Sequence, residues 1–522
     1  VPFVFRNNKV RGKEVEVIDV KSIGPDNEGA PKSLSVKIVT HARATISPEH
    51  IIVTCPRIKA EIPLFVMFRA LGIESDKEII ELIAGPDAAT FSPYTMIFQE
   101  CMEEASETTT QAAAHAWLAS NLGGGGGSRE SYSANTLMPR SQQTPNMMEI
   151  LAEECLPHIG GADMMFEKAC YLAMITKKVL DVFQGAPPDD RDAYPNKKVE
   201  LPGNLIGNLF RYLFSTKVIK DMKSSLTKEI HNGFWKSSGR MEDIINPSNI
   251  YKILKSTIIT IGMKSALATG NFIGGKMGTK AGISQVMNRL TYLSGISHLR
   301  RLSTPIEKTG KLLAPRKLHA SQYGFVCPAE TPEGHAVGVV KNLSSTALVS
   351  LPISPEPIVS LLYTVMGMRN LGDVSRAALF SHVRVFMNGA WIGVLDVNAP
   401  GAVAAVATLR KAKRSGRVHP HTSIAYKTAR REIWINTEGG RLLRPLFNAA
   451  AISEILATGV APPFMTASTG FTWNEVLQWV SPAGNSLIEY IDPMETENAF
   501  IAMTAARSEE RRVGKECLRL CR

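Results

Sequence analysis

The chain has 522 residues, more than one hydrophobic core usually serves, so several domains are expected. Its hydrophobic content of 44% and charged content of 20% are those of an ordinary globular protein. The formal net charge of +11 favours a polyanionic partner, and no apolar run reaches the roughly 20 residues that a membrane-spanning helix needs. The composition argues against a transmembrane helix, while nucleic acid, an anionic membrane surface and acidic proteins stay open as partners.

The cysteines are dispersed and include no C-x-x-C pair. They are Cys55, Cys101, Cys155, Cys170, Cys327, Cys517 and Cys521. An odd, scattered set in a large chain indicates a reducing compartment, and it argues against a disulfide framework and a cysteine-type zinc site.

The first part of the chain predicts a sheet followed by a helix. Among polar neighbours, the apolar residues alternate as they do along strands, at Val36 and Ile38 and then at Ile46, Ile51 and Val53. The run from Ile62 to Ile83 is typical of a helix.

The next part predicts two helices after a flexible insertion. A five-glycine tract, Gly123 to Gly127, lies in a polar stretch at about 120–144 that cannot bury enough surface to order itself. Apolar residues share one helical face over Met164 to Phe183, and they recur every four residues from Leu205 to Ile230.

The second half mixes strands and helices. His382 to Leu395 predicts a hairpin, because Asn388-Gly389 supplies the positive φ angles of a two-residue type I′ turn. Gly401 to Arg414 suits a helix with cations in its last turn, and strands are predicted at Ile433 to Ile435 and around Leu442 to Phe447. The fold class predicted is mixed α/β and multi-domain.

Segment 263–346 concentrates the positive charge. It holds eleven Lys and Arg residues against three Glu, a net +8 of the chain's +11. Tyr292, Tyr323 and Phe325 lie among these cations, a mixture that suits phosphate neutralisation with occasional base stacking. The segment predicts a nucleic-acid contact, with a solvated basic face as the alternative.

Two short patterns suggest chemistry that their details do not favour. Gly270 to Met277 nearly matches a phosphate-binding loop, but Met277 has no hydroxyl to hold Mg²⁺, which favours a glycine turn. His319, Cys327 and His335 lack the short spacing of structural zinc ligands, so a metal site there is the weaker interpretation.

Two loops carry charges. Asp189-Asp-Arg-Asp192 could be an acidic metal site, but adjacent side chains diverge, which favours a polar loop with internal Arg–Asp pairing. Thr304 to Lys311 has the turn chemistry of an exposed loop that could reach a phosphate backbone.

A long, ordered series of motifs resembles the fork of the second-largest, beta-type subunits of multi-subunit DNA-directed RNA polymerases. The motifs are Ala266–Phe272, Ala281–Arg289, Ser297–Arg301, Thr304–Ile306, Pro315–His319, Tyr323–Gly334 and Lys341–Leu343. The runs Leu299–Arg301 and Cys327–Glu330 follow the eukaryotic, archaeal and large-DNA-virus branch, and the glycine-rich insertion favours a large DNA virus or a diverged eukaryote as the source.

The flanks extend the resemblance to nearly residues 1–506. They are Ile62-Pro63, Phe68–Ile73, Asp189–Asp192, Asn196–Lys198, Gly440-Arg441, Arg444–Leu446, Glu489–Asp492 and Ile501–Met503. The resemblance implies a lobe at 1–198, a returning part of the protrusion at 199–262, the fork at 263–346, external region 1 at 347–440, and external region 2 with the start of the hybrid-binding region at 441–506. Residues 507–522 abandon the pattern and suggest a non-native tail.

In that family, two Mg²⁺ ions assist the attack of the RNA 3′-hydroxyl on a ribonucleoside triphosphate, and the largest subunit holds them. The resemblance therefore implies no essential metal and no catalytic residue on this chain. The implied partners are the DNA template, RNA, the DNA–RNA hybrid, and the largest and smaller polymerase subunits, with no membrane. The implied location is the nucleus, or a viral factory or virion.

The resemblance also implies site residues. The nucleic-acid contacts would be Lys280, Arg289, Arg300, Arg301, Lys308, Lys311, Arg316 and Lys317. The turn facing the active centre would be Glu330, Thr331, Pro332, Glu333 and Gly334, where Glu333 could help order the nucleotide site. The alternative for the two glutamates is structural, as anchors for neighbouring arginines.

The chain starts at Val1-Pro2-Phe3 without an initiating Met, and the match lacks the family's active-centre half, so we expect a fragment that is inactive alone. A rival hypothesis is a catalytically inert, single-strand nucleic-acid-binding remnant. A third, a phosphate-loop nucleotide hydrolase, depends on Gly270 to Lys276 alone.

Overall fold

The polypeptide divides into two units, and neither is one continuous stretch of sequence. Unit 1 comprises Val1–Lys197, Lys311–Ala329 and Ser344–Arg522, and unit 2 comprises Lys198–Gly310 and Glu330–Leu343. The structure is a computed structural model that describes residues 3–10, 13–24, 31–40, 49–85, 94–122, 147–232, 239–240, 244–245, 247, 249–273, 279–306, 309–459, 462–463 and 472–502. The predicted tail at 507–522, and all but the first three residues of the predicted insertion, lie outside these ranges.

Unit 1 begins with a five-stranded antiparallel sheet in sequence order. Its strands are β1 (Phe3–Val10), β2 (Lys13–Ser22), β3 (Lys32–Thr40), β4 (Glu49–Thr54) and β5 (Ile62–Pro63). Val36 pairs with Val53 and Ile38 with Ile51, and all four side chains are buried. The predicted alternation is confirmed for these four residues, because residues two apart on a strand face the same side of the sheet. Ile46, which was part of the prediction, lies outside the described residues.

In the described ranges up to Phe183, six helices follow this sheet, and several of them pack directly against it. They are α1 (Leu64–Ala70), α2 (Asp76–Ala84), α3 (Thr95–Glu104), α4 (Gln111–Ser120), α5 (Met147–Glu153) and α6 (Met165–Phe183). The prediction of one helix from Ile62 to Ile83 is wrong, because Ile62 belongs to β5 and the chain turns between α1 and α2, where Gly72 has a φ of 97°. The prediction of α6 is confirmed, and this helix packs against β2 and β3.

Unit 2 is largely helical. Its helices are α7 (Pro202–Arg211), α8 (Ile219–Asn232), α9 (Ile250–Ile253), α10 (Thr257–Thr269) and α11 (Tyr292–Leu299), and its strands are β6 (Phe272–Ile273), β7 (Thr279–Lys280), β8 (Arg301–Ser303) and β9 (Val340–Asn342). The predicted helix from Leu205 to Ile230 is confirmed, but a π-helical segment, Tyr212–Val218, joins its halves. A Cβ on Gly262 would lie 2.5 Å from Cδ2 of Leu213, so glycine lets α10 approach this segment closely.

The rest of unit 1 adds two sheets. Its elements are β10 (Leu348–Val349), α12 (Glu356–Thr364), α13 (Arg376–Ser381), β11 (Val383–Met387), β12 (Ala390–Leu395), α14 (Ala399–Arg414), β13 (Ser423–Lys427), β14 (Glu432–Asn436), β15 (Leu442–Phe447), α15 (Ala449–Thr458), α16 (Trp473–Gln478), β16 (Ile488–Ile491) and α17 (Pro493–Thr496). The strand orders are β12-β11-β14-β13 and β10-β15-β16. The predicted hairpin is confirmed, with φ angles of 51° at Asn388 and 91° at Gly389.

The predicted helix from Gly401 and the predicted strands at 433–435 and 442–447 are confirmed as well. Phe386 of β11 stacks on Trp434 of β14 with ring centroids 4.6 Å apart, and both belong to the cluster that includes the buried face of α6. None of the helices in the described ranges is both long and apolar enough to cross a bilayer.

Candidate nucleic-acid interface

Side chains close the N-terminus of helix α11, which lies in the basic segment. The backbone N–H of Ser294 donates to Oγ1 of Thr291, and the backbone N–H of Thr291 donates to Oγ of Ser294, both at 3.0 Å. This reciprocal capping box satisfies two N–H groups that a helix N-terminus would otherwise leave without a partner. The cap fixes the residue at which α11 begins. Arg300 lies directly after Leu299, the last residue of this helix.

A two-stranded antiparallel sheet holds the two arginines that follow α11. Strand β8 pairs with β9 so that Arg301 lies opposite Asn342. The backbone carbonyl of Arg300 accepts a hydrogen bond from the N–H of Leu343 at 3.0 Å. Because the backbone at both arginines is bound to a second segment, their side chains start from fixed positions.

Glu330 begins the turn that the sequence analysis singled out, and two polar side chains of unit 2 hold it. Its Oε1 accepts a hydrogen bond from Oγ of Ser297 on α11. Its backbone carbonyl accepts from Nδ2 of Asn342, which is buried, at 3.2 Å. Glu330 therefore links the turn to both α11 and β9.

Thr331 fixes the other side of this turn. Its hydroxyl donates to the carbonyl of Val340 at 3.0 Å and accepts from the N–H of Gly338 at 3.0 Å. Gly334 has a φ of 79°, in the region that glycine enters without steric cost. The Glu333 side chain is exposed, so the turn presents a carboxylate from a backbone that is held on both sides.

His298 ties α11 to the segment before it. The backbone N–H of Asn288 donates to Nδ1 of His298 at 3.0 Å, so Nδ1 carries no proton. Nε2 then carries the proton and donates to Oε1 of Gln285 at 3.0 Å. The ring acts as a neutral bridge that holds the backbone next to Arg289.

Exposed cations and apolar side chains share this part of unit 2. Arg289 and Arg301 are exposed. Tyr292 is 87% exposed and Leu293 74% exposed, although both begin a helix that has a defined cap. Guanidinium groups that bind phosphates and a tyrosine face on which a base can stack are what a single-stranded or hybrid nucleic acid needs.

Lys280 has a partner within unit 2. Its Nζ lies 2.5 Å and 2.6 Å from the two carboxylate oxygens of Glu200. Both side chains are partly exposed, so the ion pair is weak and a phosphate could displace it. Even so, Glu200 partly neutralises the Lys280 ammonium, whereas Arg289 and Arg301 are exposed.

Three of the remaining predicted phosphate contacts belong to unit 1. Lys311 and Lys317 are exposed, and Arg316 is partly buried at the end of a 3₁₀ turn, Ala314–Arg316. Lys308 lies outside the described residues. The predicted cations are thus divided between the two units, with Lys280, Arg289, Arg300 and Arg301 in unit 2.

The acidic stretch at 189–192 is a paired loop. Asp189 pairs with Lys178, Asp192 with Lys197, and Oδ2 of Asp190 accepts from Nε2 of His319 at 2.7 Å. The N–H of Asp192 together with His319 holds the pKa of Asp190 below its usual range. The prediction of a polar loop is confirmed, but the ion pairs described here join the aspartates to Lys178, Lys197 and His319, and the predicted internal Arg–Asp pairing is not among them.

Arg444 clamps the backbone that leads toward the turn. Its guanidinium lies 5.4 Å from the ring centroid of Phe325 and 5.9 Å from that of Tyr323, and Nη1 donates to the Tyr323 carbonyl at 3.4 Å. Gly324 between them has a φ of 83°, and a Cβ there would lie 2.8 Å from Cδ of Arg444. A side chain at position 324 would therefore collide with Arg444.

The other proposed sites find no support in the described ranges. Within them, no three His, Cys, Asp or Glu side chains come together as a metal would require. His319 and Cys327 belong to unit 1 and His335 to unit 2. Lys276 and Met277 of the loop at Gly270 lie outside the described residues, so that prediction is untested.

Sequence reasoning missed the residues that hold the site in place. Ser297 and Asn342 bind Glu330, Glu200 pairs with Lys280, and Arg444 packs on Gly324. Thr291 could have indicated the N-cap of α11, because threonine is favoured at that position, but Ser294 is not the Glu or Gln that marks a capping box in a sequence. The other contacts join residues far apart in the chain and leave no local signal.

Comparison with known proteins places this geometry in one family. Three family models match in order: RNA polymerase Rpb2, domain 2 at residues 32–200, domain 3 at 285–349 and domain 4 at 385–449. The chain belongs to the Rpb2 family of RNA polymerase subunits. The resemblance to second-largest subunits is thereby confirmed.

Curated relatives agree with the family models. The chain is 35% identical over 489 residues to the DNA-directed RNA polymerase II subunit RPB2 of Encephalitozoon cuniculi, covering 93% of this chain and 39% of that protein. It is 33% identical over 519 residues to the DNA-directed RNA polymerase II subunit 2 of Arabidopsis thaliana, covering 98% and 41%. It is 28% identical over 460 residues to the DNA-directed RNA polymerase subunit Rpo2 of Sulfolobus acidocaldarius, covering 85% and 37%.

The chain therefore spans about two fifths of the length of these Rpb2 relatives. The segment matched to domain 3 contains Arg289, Arg300, Arg301 and the Glu330–Gly334 turn. The mixed α/β, multi-domain fold is confirmed in this coarse form. The boundaries assigned to lobe, protrusion, fork and external regions stay predictions.

Proposed function

We propose that this chain contributes part of the nucleic-acid cleft of a DNA-directed RNA polymerase, in which RNA is made on a DNA template from ribonucleoside triphosphates. It works there with the largest and the smaller polymerase subunits, and alone it makes no RNA. The observation that carries the proposal is the pair of exposed arginines, Arg289 and Arg301, beside the capped helix α11 in the segment matched to Rpb2 domain 3.

The proposed contacts are electrostatic and independent of sequence. Arg289, Arg300 and Arg301 bind phosphates in unit 2, and Lys311, Arg316 and Lys317 bind phosphates in unit 1, with Lys308 at the tip of the fork loop. Backbone contacts of this kind fix the position of a duplex without reading its bases. Lys280 contributes after Glu200 has been displaced.

The Glu330–Gly334 turn faces the nucleotide site in this proposal. Its hydrogen bonds to Ser297, Asn342 and Val340 support a rigid backbone there. Glu333, whose side chain is exposed, orders the site through hydrogen bonds to its neighbours. The two Mg²⁺ ions of the reaction are held mainly by the largest subunit, so no step of the chemistry is assigned to a metal on this chain.

The salt dependence of binding tests the proposal. The full chain binds a fluorescent DNA–RNA hybrid, and the dissociation constant is measured by anisotropy from about 50 to 200 mM salt. A plot of the logarithm of the association constant against the logarithm of salt concentration has a negative slope. The double variant Arg289→Gln/Arg301→Gln makes this slope shallower by about 2, since each lost phosphate contact reduces its magnitude by about 1. Lys411→Gln/Arg417→Gln removes the same charge from exposed positions near the end of α14 and is the control.

The two possible failures have different meanings. Equal slopes for the site variant and the control would refute phosphate binding by these arginines. A reduced slope without RNA synthesis, after assembly with the largest subunit, would favour the second candidate, a catalytically inert nucleic-acid-binding remnant. Exposed Tyr292 supports that candidate too, because stacking on a single strand requires no catalysis.

The proposed cellular setting follows from the assembly. We place the chain with the transcription machinery, in the nucleus, or in a viral factory or virion if the source is a large DNA virus. Purification of the native assembly followed by mass spectrometry tests this. Recovery of the chain without a largest polymerase subunit would contradict it.

A further inference from the structure

A cavity that the proposed function does not use lies within unit 1. Its volume is about 380 Å³, and its walls come from the start of α6, from α12, from the 3₁₀ turn Leu371–Asp373 and from β12. This volume lies within the range of cavities that hold small organic ligands. Asn370 and Asp373 in its wall are exposed, so a ligand can enter from solvent.

Two carboxylates line this cavity from different elements. Glu167 belongs to the first turn of α6, and Asp373 is the last residue of the 3₁₀ turn. Tyr363 of α12 lines the same cavity, and burial followed by the charges of Asp373 and Glu167 raises the pKa of its phenol. The two negative charges therefore act on one part of the cavity, although their residues are far apart in the sequence.

The protein does not neutralise these carboxylates with cations of its own. Among the described residues, no Lys, Arg or His lines the cavity, and no ion pair joins a cation to either carboxylate. The arginines that flank the 3₁₀ turn in the sequence pair elsewhere: Arg369 lies 3.8 Å from Asp396, and Arg376 lies 2.9 Å from Glu78. The cavity therefore offers two negative charges to a ligand, which favours a cation and disfavours an anion.

Two aromatic side chains add to the attraction for a cation. Tyr363 is 37% exposed, and its hydroxyl donates to Oδ1 of Asn370, so the phenol oxygen can still accept a hydrogen bond. The indole N–H of Trp391 donates to the carbonyl of Gly393 at 3.0 Å, so this donor is already satisfied within the protein. Aromatic rings attract organic cations through their electron-rich faces.

The rest of the wall is apolar, which favours an organic cation over a metal ion. Ile159, Met164, Val359 and Ile392 supply hydrocarbon surface to the cavity. Mg²⁺ and Ca²⁺ require six or more oxygen ligands, whereas methylene groups pack against such a surface. Within the described ranges, no cluster of metal-ligating side chains occurs.

We propose that this cavity is a binding site for an aliphatic diamine. One ammonium group donates to Glu167 and the other to Asp373, and the methylene chain between them packs against the apolar wall. The phenol oxygen of Tyr363 accepts a further hydrogen bond from an ammonium group. The site does not depend on the proposed role in transcription, because none of its residues lies in the basic segment.

The charge of the whole chain makes this binding selective for the cavity. With a formal net charge of +11, the protein as a whole repels a dication. Association of a diamine with scattered surface carboxylates is therefore weak, and salt screens it further. Binding that persists at physiological salt requires a site where two carboxylates and an apolar wall act together.

The test titrates the full chain with putrescine at about 150 mM salt and follows binding by saturation-transfer NMR of the ligand. The expected dissociation constant is about 1 mM, which is ordinary for so small a ligand. Glu167→Gln/Asp373→Asn, with its fold checked by circular dichroism, should weaken binding about tenfold or more, because both charge-assisted hydrogen bonds are lost. Glu107→Gln/Glu475→Gln removes the same charge from exposed positions of unit 1 that do not line the cavity, and it should bind as the wild-type protein does.

Two further cations separate the roles of charge and shape. Butylamine has the same chain with one ammonium group and should bind several-fold more weakly than putrescine. Mg²⁺ has the same charge without a methylene chain, so an equal concentration should not displace putrescine. Equal binding by the site variant and the control variant would refute the proposal. Displacement by Mg²⁺, or equal affinity for butylamine, would refute it as well, because either result describes an exposed acidic surface and not a diamine site.

Discussion

Gly324→Ala should destabilise unit 1 through two separate costs. The φ of 83° costs an alanine about 1–2 kcal/mol, because its Cβ approaches the following carbonyl oxygen. That Cβ would also lie 2.8 Å from Cδ and 2.9 Å from Cζ of Arg444, which must move. Arg444 is 6% exposed, and loss of its hydrogen bond to Tyr323 with burial retained costs about 1–3 kcal/mol more. The expected loss of unfolding free energy is about 2–5 kcal/mol.

Gly484→Ala is the matched control. Gly484 also lies in unit 1 and has a φ of 83°, but a Cβ there would have no atom within 4 Å. Its loss should be the backbone cost alone. Both variants are unfolded with urea and followed by the fluorescence of Trp391 and Trp434, which are buried in the same unit. Equal losses in the two variants would refute the argument that Arg444 requires glycine at 324.

Three further predictions concern buried or capping groups. Burial and Lys168 lower the pKa of His158 to about 4, so stability should fall as the pH drops from about 6.5 to about 4. Burial also lowers the pKa of His421 to about 4, so His158→Gln should remove part of that fall in urea midpoints measured against pH. Lys413→Met should lower the free energy of unfolding by about 3–5 kcal/mol, because Nζ of Lys413 lies 3.1 Å from both carboxylate oxygens of the buried Glu495. The double variant Lys413→Met/Glu495→Leu should recover part of this loss in thermal melts. Thr291→Ala should lower the free energy of unfolding by about 1 kcal/mol and weaken binding of the DNA–RNA hybrid, whereas Thr291→Ser should retain binding. Unchanged hybrid binding of the alanine variant in the anisotropy assay would contradict a role for the cap.

The direction of the His158 effect follows from proton binding. Between the two pKa values the unfolded chain holds the proton and the folded chain does not, so acid favours unfolding. Inside the fold, the Ser22 hydroxyl lies 2.7 Å from Nδ1 of His158, and the ring packs edge-on against Tyr171. Protonation of His158 would put a positive charge on a buried ring close to the Lys168 ammonium. Identical pH profiles for the wild-type protein and His158→Gln in this window would contradict the assignment.

The sequence could predict those elements whose cause is local. Asn388-Gly389 forces a hairpin turn wherever it stands between strands, and the helical face of Met164 to Phe183 repeats over several turns. The prediction failed at Ile62 to Ile83 because apolar residues continue through the turn at Gly72, so periodicity alone could not locate the break. The π-helical segment at Tyr212–Val218 was hidden for a similar reason, since its residues also suit an α-helix.

The candidate interface divides in the same way. Its cations could be predicted, because charge is visible in composition, and motif order connected them to the Rpb2 family. What holds them in place could not be predicted. Ser297 reaches Glu330 across 33 positions, Lys280 meets Glu200 across 80, and Arg444 binds next to Gly324 from 121 positions beyond Tyr323. Such partners depend on the tertiary fold, which a single sequence does not reveal.

The discontinuity of the two units limits how this protein could be divided or recombined. The chain passes from one unit to the other after Lys197, Gly310, Ala329 and Leu343. A single recombination crossover between residues 198 and 343 would build both units partly from one parental gene and partly from another. Gene exchange that preserves unit 2 must therefore carry residues 198–343 as one block, including the part of unit 1 at 311–329. Lys311, Arg316 and Lys317 would then be inherited together with Arg289 and Arg301, although they belong to a different unit.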